Sequence, residues 1–152
     1  MRKNPLAQGL VRRTSLALAL ACLPVLAAEQ PAPARETFHL HEQGEKEWGY
    51  AQAVRVGNTI YISGTTGRGE TLEQQLQAAY DRISRTLAHF GAKPTQIVKE
   101  TIFTTDMEAL QAAQPSRRKF YGDHTPASSW IGIDRLFVPP LKIEIEVIVV
   151  LD

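Results

Sequence analysis

The closing segment Lys142-Ile143-Glu144-Ile145-Glu146 sets two carboxylates two residues apart, a spacing that puts both on one face of a strand. A carboxylate in a partly closed cleft has its pKa raised toward neutrality by burial and can take a proton from water. In the open, the same group pairs with a cation such as Lys142. Glu144 is compatible with either role, whereas Glu146 reads as a structural or interface residue. Ser128 stands two residues before Trp130. Its only nearby histidine in sequence is His124, with no acid of evident role beside the pair, so the set falls short of the nucleophile, base and orienting acid of a hydrolytic triad. Trp130 suits a ligand wall or an interface core, where aromatics are enriched. His39 and His41 have the spacing of two metal ligands on a strand, but no third ligand follows closely; they read as solvated polar residues, and no metal site is expected. Arg117-Arg118-Lys119 could steer anions and reads rather as a solvated helix face.

These side chains need a scaffold. Trp48 to Val56 and Thr59 to Gly64 are β-type runs joined by Gly57-Asn58, a two-residue hairpin turn; Val54, Val56, Ile60 and Ile62 are expected on one buried surface. From Leu72 the period changes, with Leu76, Tyr80, Ile83, Leu87 and Phe90 at steps of three and four until Gly91 ends the helix. Ile97 to Thr104 is a β-branched third strand. Asp106 caps a second helix running to about Tyr121, which Pro115 should kink or split. Ser128 to Ile133 is a fourth strand. In the last one, Ile143, Ile145, Val147, Val149 and Leu151 face one way and Glu144, Glu146, Ile148 and Val150 the other. Both faces turn apolar toward its end, which predicts a central strand. The order ββαβαββ is α+β with helices enough for one sheet face only, so the second face calls for another subunit.

The N-terminus bears a different signal. Basic residues at Arg2, Lys3, Arg12 and Arg13 precede an acid-free apolar run from Ser15 to Ala28, the pattern of a secretory signal peptide over residues 1–28 with cleavage near Ala27 or Ala28. The run is too short for a permanent membrane span. Ser15 sits where a twin-arginine signal usually has a large apolar residue, and Ala19-Leu20-Ala21 before Cys22 matches a lipoprotein box poorly. The expected product is periplasmic or secreted, about 124 residues long, in one domain. Cys22 is the one cysteine, so the mature chain would have no disulfide and would rely on core burial or association. The leader holds four of seventeen basic residues and none of sixteen acids, leaving a formal charge of −3; this argues against a nucleic-acid partner. Residues 29–46, rich in Pro, Glu and His, read as a flexible polar arm before a domain at 47–152.

Two stretches resemble the reactive-intermediate deaminase (Rid, RidA/YjgF) family. Gly49-Tyr50-Ala51-Gln52-Ala53-Val54 through Gly57-Asn58 to Ile62-Ser63-Gly64 is similar to that family's G-P-Y-x-Q-x-V and G-x-x-I-x-x-S-G, and Lys142 to Glu146 with its apolar tail resembles its closing K-I-E-I-E-A-I-A strand. The resemblance extends from Gly49 to Leu151. It implies a chorismate-mutase-like fold, a homotrimer with ligand clefts between subunits, and hydrolysis of enamines and imines of 2-amino acids to 2-oxo acids and ammonia without a cofactor. By the same resemblance Glu144 positions or activates water, Tyr50 lines the cleft, and Ser63 and Gly64 end its second strand. The family's carboxylate-binding arginine follows a Pro-Ala pair; here Pro126-Ala127 is followed by Ser128. A neutral hydroxyl replaces a bidentate cation there.

Two functions are therefore expected to compete. One is hydrolysis of a small imine or enamine lacking the usual carboxylate, with Glu144 orienting water and Tyr50, Ser63, Gly64, Ser128 and Trp130 shaping the site. The other is a noncatalytic trimer that binds a small metabolite in the same clefts. Ribonuclease action, a third reading, fits poorly with an acidic chain that lacks a basic, aromatic-laced surface.

Overall fold

The computed structural model describes residues 32–152. The expected signal peptide, its cleavage site and Cys22 lie outside them. Six strands form one sheet in the order β1-β2-β3-β6-β4-β5. They are β1 (Arg35–Phe38), β2 (Ala53–Val56), β3 (Thr59–Thr66), β4 (Ile97–Thr104), β5 (Ala127–Gly132) and β6 (Ile143–Val150). Among the described residues, only β4 and β5 pair in parallel. Helices α1 (Glu42–Glu47), α2 (Leu72–His89), α3 (Met107–Ala112) and α4 (Gln114–Tyr121) complete the α+β fold. β6 lies between β3 and β4, the interior position that its two apolar faces predict.

Helix α2 begins at a reciprocal cap: Thr71 Oγ1 accepts the Gln74 N–H and Gln74 Oε1 accepts the Thr71 N–H, both at 3.2 Å. It stops where Gly91 takes φ +67°, a left-handed turn that costs glycine least. Its buried face, Leu72, Leu76, Tyr80, Ile83 and Leu87, packs in one core with Ile60, Ile62, Ile102, Ile143, Ile145 and Val149. Each such aliphatic side chain contributes roughly 1.5–3 kcal/mol by burial. Pro115 splits the second helical region into α3 and α4 about Ala113; its ring permits a helix start but supplies no N–H.

Two expectations need correction. Val54 and Val56 do not share a surface with Ile60 and Ile62. The hairpin pairs Val56 with Thr59, Val54 with Tyr61 and Ala53 with Ile62, and antiparallel partners project from the same side. A two-residue turn necessarily pairs even positions with odd ones. Ala53 therefore joins the core, and Val54 and Val56 stand on the outer face with Tyr61. That face also carries Phe103, Ile131, Ile148 and Val150, with Tyr61 half exposed.

The second correction concerns residues 29–46. From Arg35 onward they are not an arm: β1 pairs with β2 from Arg35↔Val56 to Phe38↔Ala53, and α1 follows. Glu45 holds the segment in place. Its carboxylate, 1 % exposed, accepts the N–H groups of Leu40, His41 and Gln52 at 2.8–3.0 Å and lies 2.8 Å from His39 Nδ1. Burial pushes its carboxyl up, but these hydrogen bonds outweigh it and hold the pKa below the ordinary value. His39 is thus part of this knot. Among the described residues, no three His, Cys, Asp or Glu side chains converge as metal ligands, and no helix is long and apolar enough to cross a membrane.

Candidate functional site

The register of β3 on β6 slips by one between Ile62↔Val147 and Thr65↔Ile145. Ser63 and Gly64 therefore stand opposite Glu146 alone, as a β-bulge, a device that bends a strand and re-aims its side chains. Beside the bulge a groove of about 490 Å³ opens, lined by Trp48, Tyr50, Ser63, Gly64, Phe137 and Glu144, among others. Its size falls in the usual range for small-molecule sites.

Glu144 is the charged residue among those that line the groove. Burial raises its pKa above the ordinary carboxylate value, and the neighbouring charge of Glu146 adds to the rise. Among the described residues it has no ion-pair partner; the pairing with Lys142 that its sequence allows is not made. Gly64 makes room for it. A Cβ added there would meet the carboxyl group, 2.7 Å from Cδ and closer to Oε1. Ser63 donates its hydroxyl hydrogen to the Ala51 carbonyl at 2.7 Å, which leaves its oxygen free to accept from a ligand.

The aromatic wall comes from two loops. Trp48 follows α1 directly, and its ring meets Phe137 edge to face at 5.1 Å. Tyr50 lies between α1 and β2. The Glu45 knot fixes the base of this loop, and a second chain of bonds links it to the bulge: Gln52 Nε2 donates to Thr65 Oγ1 at 2.9 Å, and Thr65 donates to the Ser63 carbonyl at 2.8 Å. Tyr50, Ser63, Gly64 and Glu144 thus meet in one groove within a single chain.

Ser128 and Trp130 do not join them there. β5 pairs Ser128 with Glu100, which stands opposite Val147 on the helix-facing side of the sheet. Ser128 donates to Glu100 Oε2 at 2.8 Å, and Trp130 Nε1 donates to Ser128 Oγ at 3.1 Å. Glu100 is fully buried. It also accepts Tyr80 and Tyr121 hydroxyls on Oε1 at 2.7 and 2.8 Å, and Arg117 Nε and Nη2 on Oε2 at 2.8 and 2.7 Å. Burial and then the Glu100 charge raise the pKa of both tyrosines, so they remain protonated donors.

Arg117 is consequently not a solvated residue of the basic run. Its guanidinium lies 4.9 Å from the Tyr121 ring centre and 5.9 Å from that of Trp130, and its side chain is 15 % exposed. Sequence reasoning passed over Glu100 altogether. The available signal was a lone acid at a core-facing position of an otherwise apolar, β-branched strand, which demands a buried partner.

Residues 43–151 match the family model described as Endoribonuclease L-PSP. A 2-iminobutanoate/2-iminopropanoate deaminase of Dermatophagoides farinae is 31 % identical over 111 residues, spanning 68 % of this chain and 86 % of that protein. The protein of the same name from Escherichia coli K12 is 31 % identical over 111 residues, 66 % of this chain and 86 % of its own length. Among solved structures, Rv2704 of Mycobacterium tuberculosis, described as a YjgF/YER057c/UK114 family member, superposes with a TM-score of 0.74 at 28 % identity, covering 78 % of this chain and 100 % of its own. A structure described as a putative endoribonuclease from Thermotoga maritima gives a TM-score of 0.65 at 31 % identity over 68 % and 87 % of the two chains.

Proposed function

Because the chain belongs to the Rid (YjgF, Endoribonuclease L-PSP) family, we propose that it hydrolyses small imines or enamines in the groove at Glu144. The observation that carries this reading is the half-buried carboxylate without a cation, raised in pKa and seated against Gly64. Such a group accepts a proton near neutral pH better than an ordinary exposed glutamate. Water attacks the imine carbon as Glu144 takes its proton, forming a carbon–oxygen bond and moving the C=N electron pair to nitrogen. The proton then passes to that nitrogen. As the double bond to oxygen re-forms, the hydroxyl proton passes to the same nitrogen by way of Glu144, so that ammonia leaves and the water oxygen becomes the carbonyl oxygen of the product. Tyr50 and Ser63 line the path of the substrate.

The working form we propose is an exported homotrimer. The outer sheet face supports association, since Val54, Val56, Tyr61, Ile148 and Val150 stand there uncovered by any described helix. The apolar run of residues 15–28 supports export to a periplasmic or extracellular site. A noncatalytic metabolite-binding trimer is the competing reading, favoured by one observation: the hydroxyl of Ser128 is directed to Glu100.

Ammonia release by the purified chain from freshly generated 2-iminopropanoate and from a neutral imine tests the proposal, with Glu144→Gln and Ser128→Arg alongside. Turnover that Glu144→Gln abolishes supports the hydrolase. Turnover only in Ser128→Arg, or none at all, favours the binding role.

A further inference from the structure

From the charges and walls of the groove we infer that its ligand is a cation with a flat apolar body, a protonated imine or amine bearing no carboxylate. The inference rests on the hydrolase reading for the place of the reacting carbon beside Glu144. Glu144 lines the groove, and among the described residues of the same chain no lysine or arginine lines it. A carboxylate brought in with the substrate would face another carboxylate with no lining cation to balance it, a juxtaposition that selects against anions.

Among the described residues, the cation beside Ser128 is Arg117, and it is already engaged. Arg117 directs both Nε and Nη2 at Glu100 Oε2, so the pair is neutral. Releasing the guanidinium would strand a carboxylate that is fully buried. Arg68 and Arg82 line a different depression, with Arg85 and His41, and Arg82 is held at the edge of the groove by donating Nη1–H to the Thr66 carbonyl at 3.0 Å.

The walls complete the specification. Phe137 is 75 % exposed, Trp48 66 % and Tyr50 45 %. Aromatic faces left open to water around a carboxylate are the arrangement that holds ammonium and iminium groups, through the negative ring faces and the opposite charge together. They also offer stacking area to a planar substituent on the imine carbon. Hydrolysis of such an iminium forms an apolar aldehyde or ketone and ammonium, with water supplying the oxygen.

The test separates binding from turnover. Calorimetry on the full chain compares three probes that share a phenyl ring: phenethylamine, phenylalanine and 3-phenylpropanoate. Phenethylamine should bind at least about tenfold tighter than either carboxylate-bearing probe. Glu144→Gln should weaken it about tenfold, and Trp48→Ala and Phe137→Ala each roughly three- to tenfold, with the association state unchanged. Tighter binding of 3-phenylpropanoate, or phenethylamine binding indifferent to Glu144→Gln and Phe137→Ala, overturns the inference. Ammonia release from the imine of phenylacetaldehyde is read separately. If phenethylamine binds as expected and this imine is not turned over, the cation site stands and the hydrolase falls.

Discussion

Substituting alanine for Gly64 moves one group in the groove with little effect on the fold. The Cβ it introduces would lie 2.7 Å from Glu144 Cδ and 3.1 Å from Cγ, where ordinary contact begins at 3.4 Å. The carboxyl carbon must retreat by about 0.7 Å, and Oε1, nearer still, by more. Gly64 does not need positive φ, so alanine accepts the backbone. The obstructing atoms belong to the end of a flexible side chain. The stability cost should therefore stay within about 1 kcal/mol. A displacement of roughly 1 Å at a proton-accepting group costs about 10²-fold in rate, or about 2.7 kcal/mol of transition-state stabilisation. The assay is kcat/KM for ammonia release, with thermal unfolding measured on the same samples. Gly44→Ala is the control, since its added Cβ meets nothing within 4 Å. Native rates in Gly64→Ala, or an equal loss in Gly44→Ala, would refute the placement of Glu144 beside the reacting carbon.

Base catalysis requires ionised Glu144, so kcat/KM should fall as pH drops through its raised pKa, and Glu146→Gln, which removes the second cause of the rise, should move that limb to lower pH. Stability takes the opposite sign. A carboxyl that holds its proton more tightly folded than unfolded favours the fold fully below its unfolded pKa, and that contribution is lost as pH rises through the folded pKa. Chemical denaturation between about pH 4 and about pH 8 should show this decline flattened in Glu144→Gln. At the other cluster, Arg117→Ala leaves Glu100 buried and charged, at a cost of about 3–5 kcal/mol and a fall in Tm of roughly 10–20 °C. Glu100→Gln with Arg117→Met removes both charges while keeping an acceptor for the Tyr80 and Tyr121 hydroxyls, and should recover most of it. Equal losses in the single and double variants would contradict the pairing.

Two routes made the groove legible: strand alternation put Glu144 and Glu146 on one face of β6 and predicted its central position, while the family resemblance singled out Tyr50, Ser63, Gly64 and Glu144. The hairpin surface was misassigned although its rule was available: a turn of two residues fixes the parity of every pair beyond it. Glu45 and Glu100 were illegible for another reason. Each looks like a surface acid by type, and its burial depends on donors contributed by the fold: three backbone N–H groups in one case, and side chains 17 to 28 residues away in the other. The placement of Ser128 and Trp130 followed from the same cluster. Once Glu100 faces the helices, its parallel neighbour faces them too.

The Glu45 knot also bears on how this site can evolve. Its three backbone donors belong to Leu40, His41 and Gln52, and any residue except proline supplies an N–H. Holding the loop thus constrains the identity of Glu45 far more than that of its neighbours. The side chains of Trp48 and Tyr50, the ring-bearing residues of the same loop, are exposed and bear none of these hydrogen bonds; Tyr50 adds only its backbone N–H to the Glu45 carbonyl, at 3.0 Å, which again any residue except proline supplies. They can be exchanged by single substitutions without loosening the anchor, so a lineage can retune what the groove admits while the sheet and its core stay as they are.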